Sequence, residues 1–547
     1  MARTIGLFVV VAALVVASWW WRGAPVTMPP SPLSAGEKLP CVSYAPFRGQ
    51  QTPLDPTTRI DAAQIDEDLA LLAKLTTCIR IYSVDLGLDQ VPQIAERHGL
   101  KVLLGIWVSG RRDKTQWQIE TGVALANRFP NTIQSVIVGN EVLLRGEVTA
   151  ASLAANLREV KAQVRQPVTY ADVWEFWMRN SELSEAVDFI TIHILPYWED
   201  HPIAAEQAAD HIASIRGVVA AAFPGREILI GEAGWPSAGR MREAARASPV
   251  SQARAVHDLL SRAKAENFRV NIIEAFDQSW KRLQEGTVGG HWGIIDEARR
   301  TKFAWGEPVS NHPYWPWQAA GGVVFAALVF AAAMAARCRR QAPEPRGAAW
   351  IAVAAIAMAS GMTIGWIVES VLLESLGFNG WSNAVARVGL ALTVPLAGAA
   401  AIFAHVRPAT FACVLRPAAA ARATDDGLEL ALGVLLVVTS VLAVQIALSL
   451  AFNPRYLDFP YADLTAVVLP FLLLSFLHPA ATDARSAAEV TVAAVLVPSA
   501  IFVCVNEGLA NWQSVWLCAA LLALAITLAR VRAVPDRDTE ARPQGPT

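Results

Sequence analysis

The run Ser135-Val136-Ile137-Val138-Gly139-Asn140-Glu141-Val142 decides how this chain is read. Three consecutive β-branched residues make a short strand suited to burial on both faces, as in a parallel sheet. A glycine, an amide and a carboxylate then follow, so polar chemistry is delivered at the strand's carboxyl end. The run Glu227-Ile228-Leu229-Ile230-Gly231-Glu232-Ala233-Gly234-Trp235-Pro236 repeats the pattern. Outward from these two, similar runs recur at Cys41–Pro46, Cys78–Ser83, Lys101–Val108, Pro167–Val173, Phe189–Pro196 and Arg269–Gln278.

Amphipathic segments with apolar residues three and four apart separate the runs, for example Asp61–Leu75, Trp117–Phe129, Ser152–Val164, Ala204–Ala222 and Val250–Ala265. Strands alternating with helices imply parallel pairing through right-handed crossovers. Eight such units predict an α/β fold, a (β/α)8 TIM barrel, with its active site at the carboxyl ends of the strands. An open doubly wound sheet is the competing architecture, but no G-x-G-x-x-G follows a strand to support it.

Composition points to a second part. Only 17% of the 547 residues are charged and 54% are hydrophobic, unusual for a wholly soluble protein. A hydrocarbon core of ~30 Å needs roughly 20 apolar helical residues, and spans are predicted near 5–21, 318–336, 348–368, 388–405, 428–450, 464–478, 488–505 and 512–530, the sixth being short. The fold class is therefore a TIM barrel plus an α-helical polytopic membrane domain. The domains are predicted as an anchor at 1–22, a Pro-rich linker at 23–37, a catalytic barrel at 38–310, a multi-span domain at 318–530 and a cytoplasmic tail at 531–547.

Arginines select the orientation. Arg337, Arg339, Arg340 and Arg346 follow the second span, Arg407, Arg416 and Arg422 the fourth, and Arg530, Arg532, Arg537 and Arg542 the last. Basic loops stay in the cytoplasm, which places residues 22–317 outside. The first segment has a competing reading as a cleaved signal peptide. Trp19, Trp20, Trp21 and Arg22 instead make its end an interfacial belt, and an uncleaved anchor is expected. Glu369, Arg387, Asp463 and Glu489 fall near span ends, where snorkelling to the interface is expected over a pathway role.

A net charge of −2 leaves no basic field for nucleic acid. Of the six cysteines, Cys41 and Cys78 lie in the barrel region and each begins a predicted strand. Buried thiols are expected there ahead of a disulfide, and no Cys/His spacing suggests zinc.

Glu141 and Glu232 end the fourth and seventh strands, positions that face each other across a barrel mouth. Acetal hydrolysis needs such a pair, one carboxyl to protonate the departing oxygen and one to attack or to activate water. Salt bridges across the mouth would explain either glutamate alone. Trp107, Trp174, Trp177, Tyr197, Trp198, Trp235, Trp280 and Trp292 also lie at or beyond strand ends. Sugar rings pack on such flat faces, and the concentration on one rim points to a saccharide groove, although each aromatic alone is readily explained by packing.

The segments Val138-Gly139-Asn140-Glu141 and Gly231-Glu232-Ala233-Gly234-Trp235-Pro236-Ser237 resemble the acid/base and nucleophile motifs of glycoside hydrolase family 17, the β-1,3-glucanases and related transglycosylases. The similarity covers most of residues 38–305, through Ser43-Tyr44-Ala45-Pro46-Phe47, Ile79-Arg80-Ile81-Tyr82-Ser83, His193–Glu199 and Glu274–Gln278. It is strongest to the bacterial branch associated with cyclic or branched β-1,3/β-1,6-glucan synthesis. The resemblance implies a retaining reaction in which Glu232 forms a glycosyl-enzyme and Glu141 serves as acid, then base. Asn140 would bond the sugar 2-hydroxyl, with Arg80, Tyr82 and His193 around Glu232. Tyr44, Trp174, Tyr197, Trp198, Trp235, Glu274, Asp277 and Lys281 would be further substrate-binding residues. No metal or other cofactor is implied. Two positions depart from the family: Ala233 stands where Thr is frequent, and Gln278 where plant members carry a glutamate.

The implied partners are a β-1,3-glucan, the lipid bilayer and a membrane glucan synthase. Transglycosylation that elongates or branches β-1,3-glucan with β-1,6 links is the expected activity, because a tethered enzyme beside an export site meets acceptor sugars at high local concentration. Endo-β-1,3-glucan hydrolysis is the alternative. A non-catalytic glucan-binding or export component is the reading of a different class.

Overall fold

The computed structural model describes residues 2–415, 426–478, 480–481 and 487–532. The predicted arginines Arg416, Arg422, Arg537 and Arg542, and the tail beyond 532, lie outside the described residues. The chain divides into two compact units, one of residues 25–311 and one of residues 1–24 with 312–547.

In the first unit the eight expected runs supply eight parallel strands in sequence order: β1 Val42–Ser43, β2 Cys78–Arg80, β3 Lys101–Ile106, β4 Ile133–Asn140, β5 Val168–Val173, β6 Ile190–His193, β7 Ile228–Ala233 and β8 Arg269–Ile272. β8 returns to β1 through Val42 and Ile272 and closes the barrel. Helices Ala62–Leu75, Arg112–Arg128, Ala150–Lys161, Ala208–Ala222 and Pro249–Ala265 wrap it. Their starts follow from capping: the Asp61 carboxylate accepts the Gln64 amide at 2.7 Å, and the side chains of Thr149 and Ser248 cap the helices that follow them. Each helix turns an apolar stripe inward. Ile65, Leu69 and Leu72 are fully buried, each contributing about 1.5–3 kcal/mol relative to exposure.

The barrel floor corrects the expectation of buried thiols. Cys41 and Cys78 form a disulfide with Cα atoms 4.4 Å apart. The physical reason is register: Val42 pairs with Ile79, so the cysteines one residue earlier stand side by side. They line the closed lower layer with Leu103, Ile137, Ala171, Phe189 and Leu229.

The second unit is helical. Seven helices among the described residues are long and apolar enough to cross a membrane, from Arg3–Gly23 to Trp512–Ala529, with a shorter apolar helix at Tyr461–Leu477. Helices Ala2–Gly23, Trp315–Arg340 and Gly347–Glu374 meet at Gly322 and Gly361, where any side chain would collide with the facing backbone or Val15. Close packing through small residues is the usual membrane solution.

Two expectations are corrected here. The stretch 369–383, left between the predicted spans 348–368 and 388–405, is mostly helix, since one helix runs to Glu374 and the next starts at Gly377. Hydropathy misses such polar end turns because backbone hydrogen bonds, not apolar side chains, continue them. Arg387 and Asp463 do not reach separately toward an interface. The Arg387 guanidinium brackets the Asp463 carboxylate with two 2.9 Å bonds and reaches Glu374 at 3.1 Å, a pairing across three helices that no linear pattern displays.

Candidate active site

At the upper ends of β4, β6 and β7 the strand register shifts, between Ile137 and Asn140, Ile192 and His193, and Ile230 and Ala233. Such irregularities re-aim side chains, and here they turn Glu141, His193 and Glu232 toward one point. One oxygen or nitrogen from each of the three lies within 4.8 Å of the others.

Glu232 is 5% exposed. Its Oε1 accepts from Tyr82 Oη at 2.9 Å and from Arg80 Nη1 at 3.3 Å. Arg80 is itself 1% exposed, donating to Gly231 O at 2.8 Å and Asn140 Oδ1 at 2.6 Å. A side chain at Gly231 would occupy the space of the Thr191 methyl, the His193 ring and this guanidinium, so a glycine precedes the carboxylate for packing reasons. Oε1 is thus held from two sides, and Oε2 is left for an incoming electrophilic carbon.

Glu141 follows β4 with φ +52°, a left-handed conformation that costs an L-residue other than glycine, asparagine or aspartate roughly 1–2 kcal/mol. Its Oε1 lies 2.8 Å from His193 Nδ1, and His193 Nε2 lies 3.3 Å from Arg80 Nη1. A guanidinium only donates. His193 Nε2 is therefore the acceptor, and its proton sits on Nδ1, directed at Glu141. Burial pushes the Glu141 carboxyl up, but the hydrogen bond from His193, with the charges of Arg80 and Arg145 beyond, outweighs it and holds it below the ordinary value. Three such donor atoms suit a cation by spacing alone, but the Arg80 guanidinium already neutralises the inner side and opposes a second positive charge.

The outer wall is formed by Glu274, Lys281 and Glu285. Lys281 Nζ donates to Glu274 Oε1 at 2.8 Å, and Glu274 Oε2 has no partner among the described residues. Burial pushes Glu274 up to about 7 despite Lys281, whereas Lys281 is pushed up, because the ammonium faces Glu274, Glu285 and Glu232 together. Both shifts are upward but act oppositely on charge: the lysine remains charged, and the carboxyl changes state near neutrality. Trp107, Trp174, Trp198 and Trp280 are half-buried, and the Trp174 indole nitrogen has no partner among the described residues.

Four sequence-predicted contacts are corrected. Tyr44 follows Ser43, which faces the barrel interior, so strand alternation sends it outward, where its hydroxyl meets Asp68 at 3.2 Å. Tyr197 and Trp235 have no exposed surface; they pack edge to face at 5.9 Å and bond backbone carbonyls of Arg240 and Arg246. Asp277 is held by Lys302 Nζ at 2.6 Å and the Gly293 amide at 3.0 Å. Sequence reasoning missed Ser43 and Asn271, which continue the support of Glu232. Tyr82 Oη lies 2.9 Å from Ser43 Oγ, and Asn271 Nδ2 donates to Ser43 Oγ at 2.8 Å and Gly231 O at 2.7 Å. An asparagine inside a buried strand was the available signal.

Residues 41–293 match the BtgE/BtgC glycoside hydrolase domain. The match spans most of the barrel and just under half of the chain. This agrees with the family 17 resemblance carried by its motifs. A glucan 1,3-beta-glucosidase of Saccharomyces cerevisiae is 24% identical over 265 residues, covering 44% of this chain and 83% of that protein. The probable beta-glucosidase btgE of Aspergillus flavus is 26% identical over 243 residues, covering 43% of this chain but 39% of that protein. The solved family 17 beta-1,3-glucanosyltransferase of Rhizomucor miehei shares 26% identity, with 48% of this chain and 94% of that chain covered and a TM-score of 0.42.

Proposed function

We propose that the chain is a retaining, membrane-tethered transglycosylase that elongates or branches β-1,3-glucan through β-1,6 links on the periplasmic side of a bacterial inner membrane. The observation that carries this reading is the approach of Glu141 and Glu232 to within 4.8 Å at their nearest oxygens. Double displacement works with carboxyl groups about 5–5.5 Å apart, whereas inversion needs roughly 6.5–9.5 Å for an intervening water. Similarity to a glucan 1,3-beta-glucosidase supports a β-1,3-glucan donor.

Substrate that displaces the His193–Glu141 hydrogen bond removes the contact that holds this carboxyl below its ordinary value, and the protonated Glu141 then passes its proton to the leaving oxygen as Glu232 Oε2 attacks the anomeric carbon. The Arg80 and Tyr82 bonds to Oε1 hold Glu232 in place and leave Oε2 aimed at the donor. Once Glu232 is esterified its negative charge is gone, which favours the ionised form of Glu141. Glu141 then takes the proton of an incoming sugar hydroxyl, and the glycosyl group moves to that acceptor with configuration retained. Water in the acceptor's place gives hydrolysis.

Incubating the full-length protein with a defined β-1,3-oligosaccharide and determining product linkages tests the reading. Longer products carrying new β-1,6 links are expected. Shorter reducing sugars alone would make the protein a hydrolase. For orientation, a reporter fused after residue 310 is expected to behave as periplasmic and one after 342 or 420 as cytoplasmic. A cytoplasmic signal at 310 would overturn the compartment. We also propose that the first helix is retained as an anchor, supported by the burial of Val11, Val15 and Trp19 within its unit.

A further inference from the structure

The turn that carries Glu141 leaves β4, so the amides beyond it have no strand ladder to join. Two of them are met by β5. Tyr170 Oη accepts from the Leu143 amide at 3.0 Å and donates to Asp172 Oδ2. Asp172 Oδ2 also accepts from the Leu144 amide at 3.4 Å, while Oδ1 accepts from Val173 N at 2.8 Å. Both side chains have no exposed surface. The Glu141 amide itself donates to Ala171 O at 2.8 Å, between the two. Arg145 fastens the opposite side, donating to Asn140 O and to Val108 O at 3.0 Å while lying 4.2 Å over the Trp107 ring.

We propose that Tyr170 and Asp172 are positioning residues for Glu141: the hydroxyl and carboxylate fix the two amides that follow its left-handed turn and so set the direction of its carboxyl group. The proposal rests on Glu141 being the acid/base. Neither side chain reaches the Glu232 oxygens, so the pair acts only on steps in which Glu141 moves a proton. A satisfied polar pair with a merely structural role would instead support the whole barrel mouth and weaken every step alike.

The test uses full-length protein carrying Tyr170→Phe or Asp172→Asn, assayed with laminari-oligosaccharides and with a laminaribiosyl fluoride. Oligosaccharide donors need an acid and the fluoride does not. For the oligosaccharides kcat is expected to fall about 10- to 100-fold, the scale of a small misplacement of a catalytic group, with KM nearly unchanged. The rate of Glu232 glycosylation by the fluoride, read from the first burst of fluoride release, should stay near that of the parent. Adding Tyr170→Phe to Glu141→Gln should cost nothing further. Equal losses for both donors, a further loss in the Glu141→Gln background, or no loss at all would each overturn the proposal. Failure of the functional reading is distinguishable, because Glu141→Gln alone would then leave oligosaccharide turnover intact. Tyr170→Phe removes a single oxygen and carries the test where Asp172→Asn fails to fold.

Discussion

Glu232→Gln is expected to abolish turnover of every donor, natural or activated, with kcat reduced on the order of 10⁴- to 10⁶-fold, as for other enzymes stripped of a nucleophile. The amide cannot form the glycosyl ester, and no quality of leaving group replaces a missing attacking oxygen. Tyr82 and Arg80 would remain aimed at position 232, so substrate binding should survive and separate lost chemistry from lost structure. Intact-mass measurement with a laminaribiosyl fluoride should show no adduct. Appearance of a covalent sugar on this variant would place the nucleophile elsewhere.

Glu141→Gln should behave differently, because it removes proton transfer and leaves attack untouched. Oligosaccharide turnover is expected to fall about 10²- to 10⁴-fold, the usual contribution of general acid catalysis. A nitrophenyl or fluoride donor departs unprotonated, so it should still glycosylate Glu232. The second step then stalls for want of a base, and an adduct should accumulate on the peptide containing Gly231-Glu232-Ala233. Azide needs no deprotonation and should restore turnover with retained configuration. If Glu232→Gln traps the adduct and Glu141→Gln is dead toward activated donors, the two roles are reversed. If neither change affects activity, the catalytic site lies elsewhere.

Both carboxylates were legible in the sequence because a closed parallel barrel gives each strand one functional end, and a polar triplet after an apolar run marks that end. The order of the eight strands followed from the same alternation. Side-chain direction was less legible. Ser43 ends a two-residue strand and Tyr44 follows it, and so short a strand carries no pattern to tell which of them faces inward. The aromatic rim was overread for a related reason. Tyr197, Trp235 and Trp292 share the type expected of a sugar platform, but they pack against one another beneath the cleft. Pairings between distant segments, such as Cys41 with Cys78 or Arg387 with Asp463, depend on register and helix packing that no local window contains. Tyr170 and Asp172 escaped notice because their partners are backbone amides, which every sequence possesses.

The positive φ of Glu141 also bears on how this position would drift. Folding alone favours glycine or asparagine in a left-handed turn, and in the proposed reaction only proton transfer favours glutamate. A duplicated copy released from catalysis would gain stability by exchanging it, while the turn, the strand and the barrel persisted. Among descendants of such a chain, the residue at this backbone position would separate working enzymes from inert sugar-binding remnants before any assay was run.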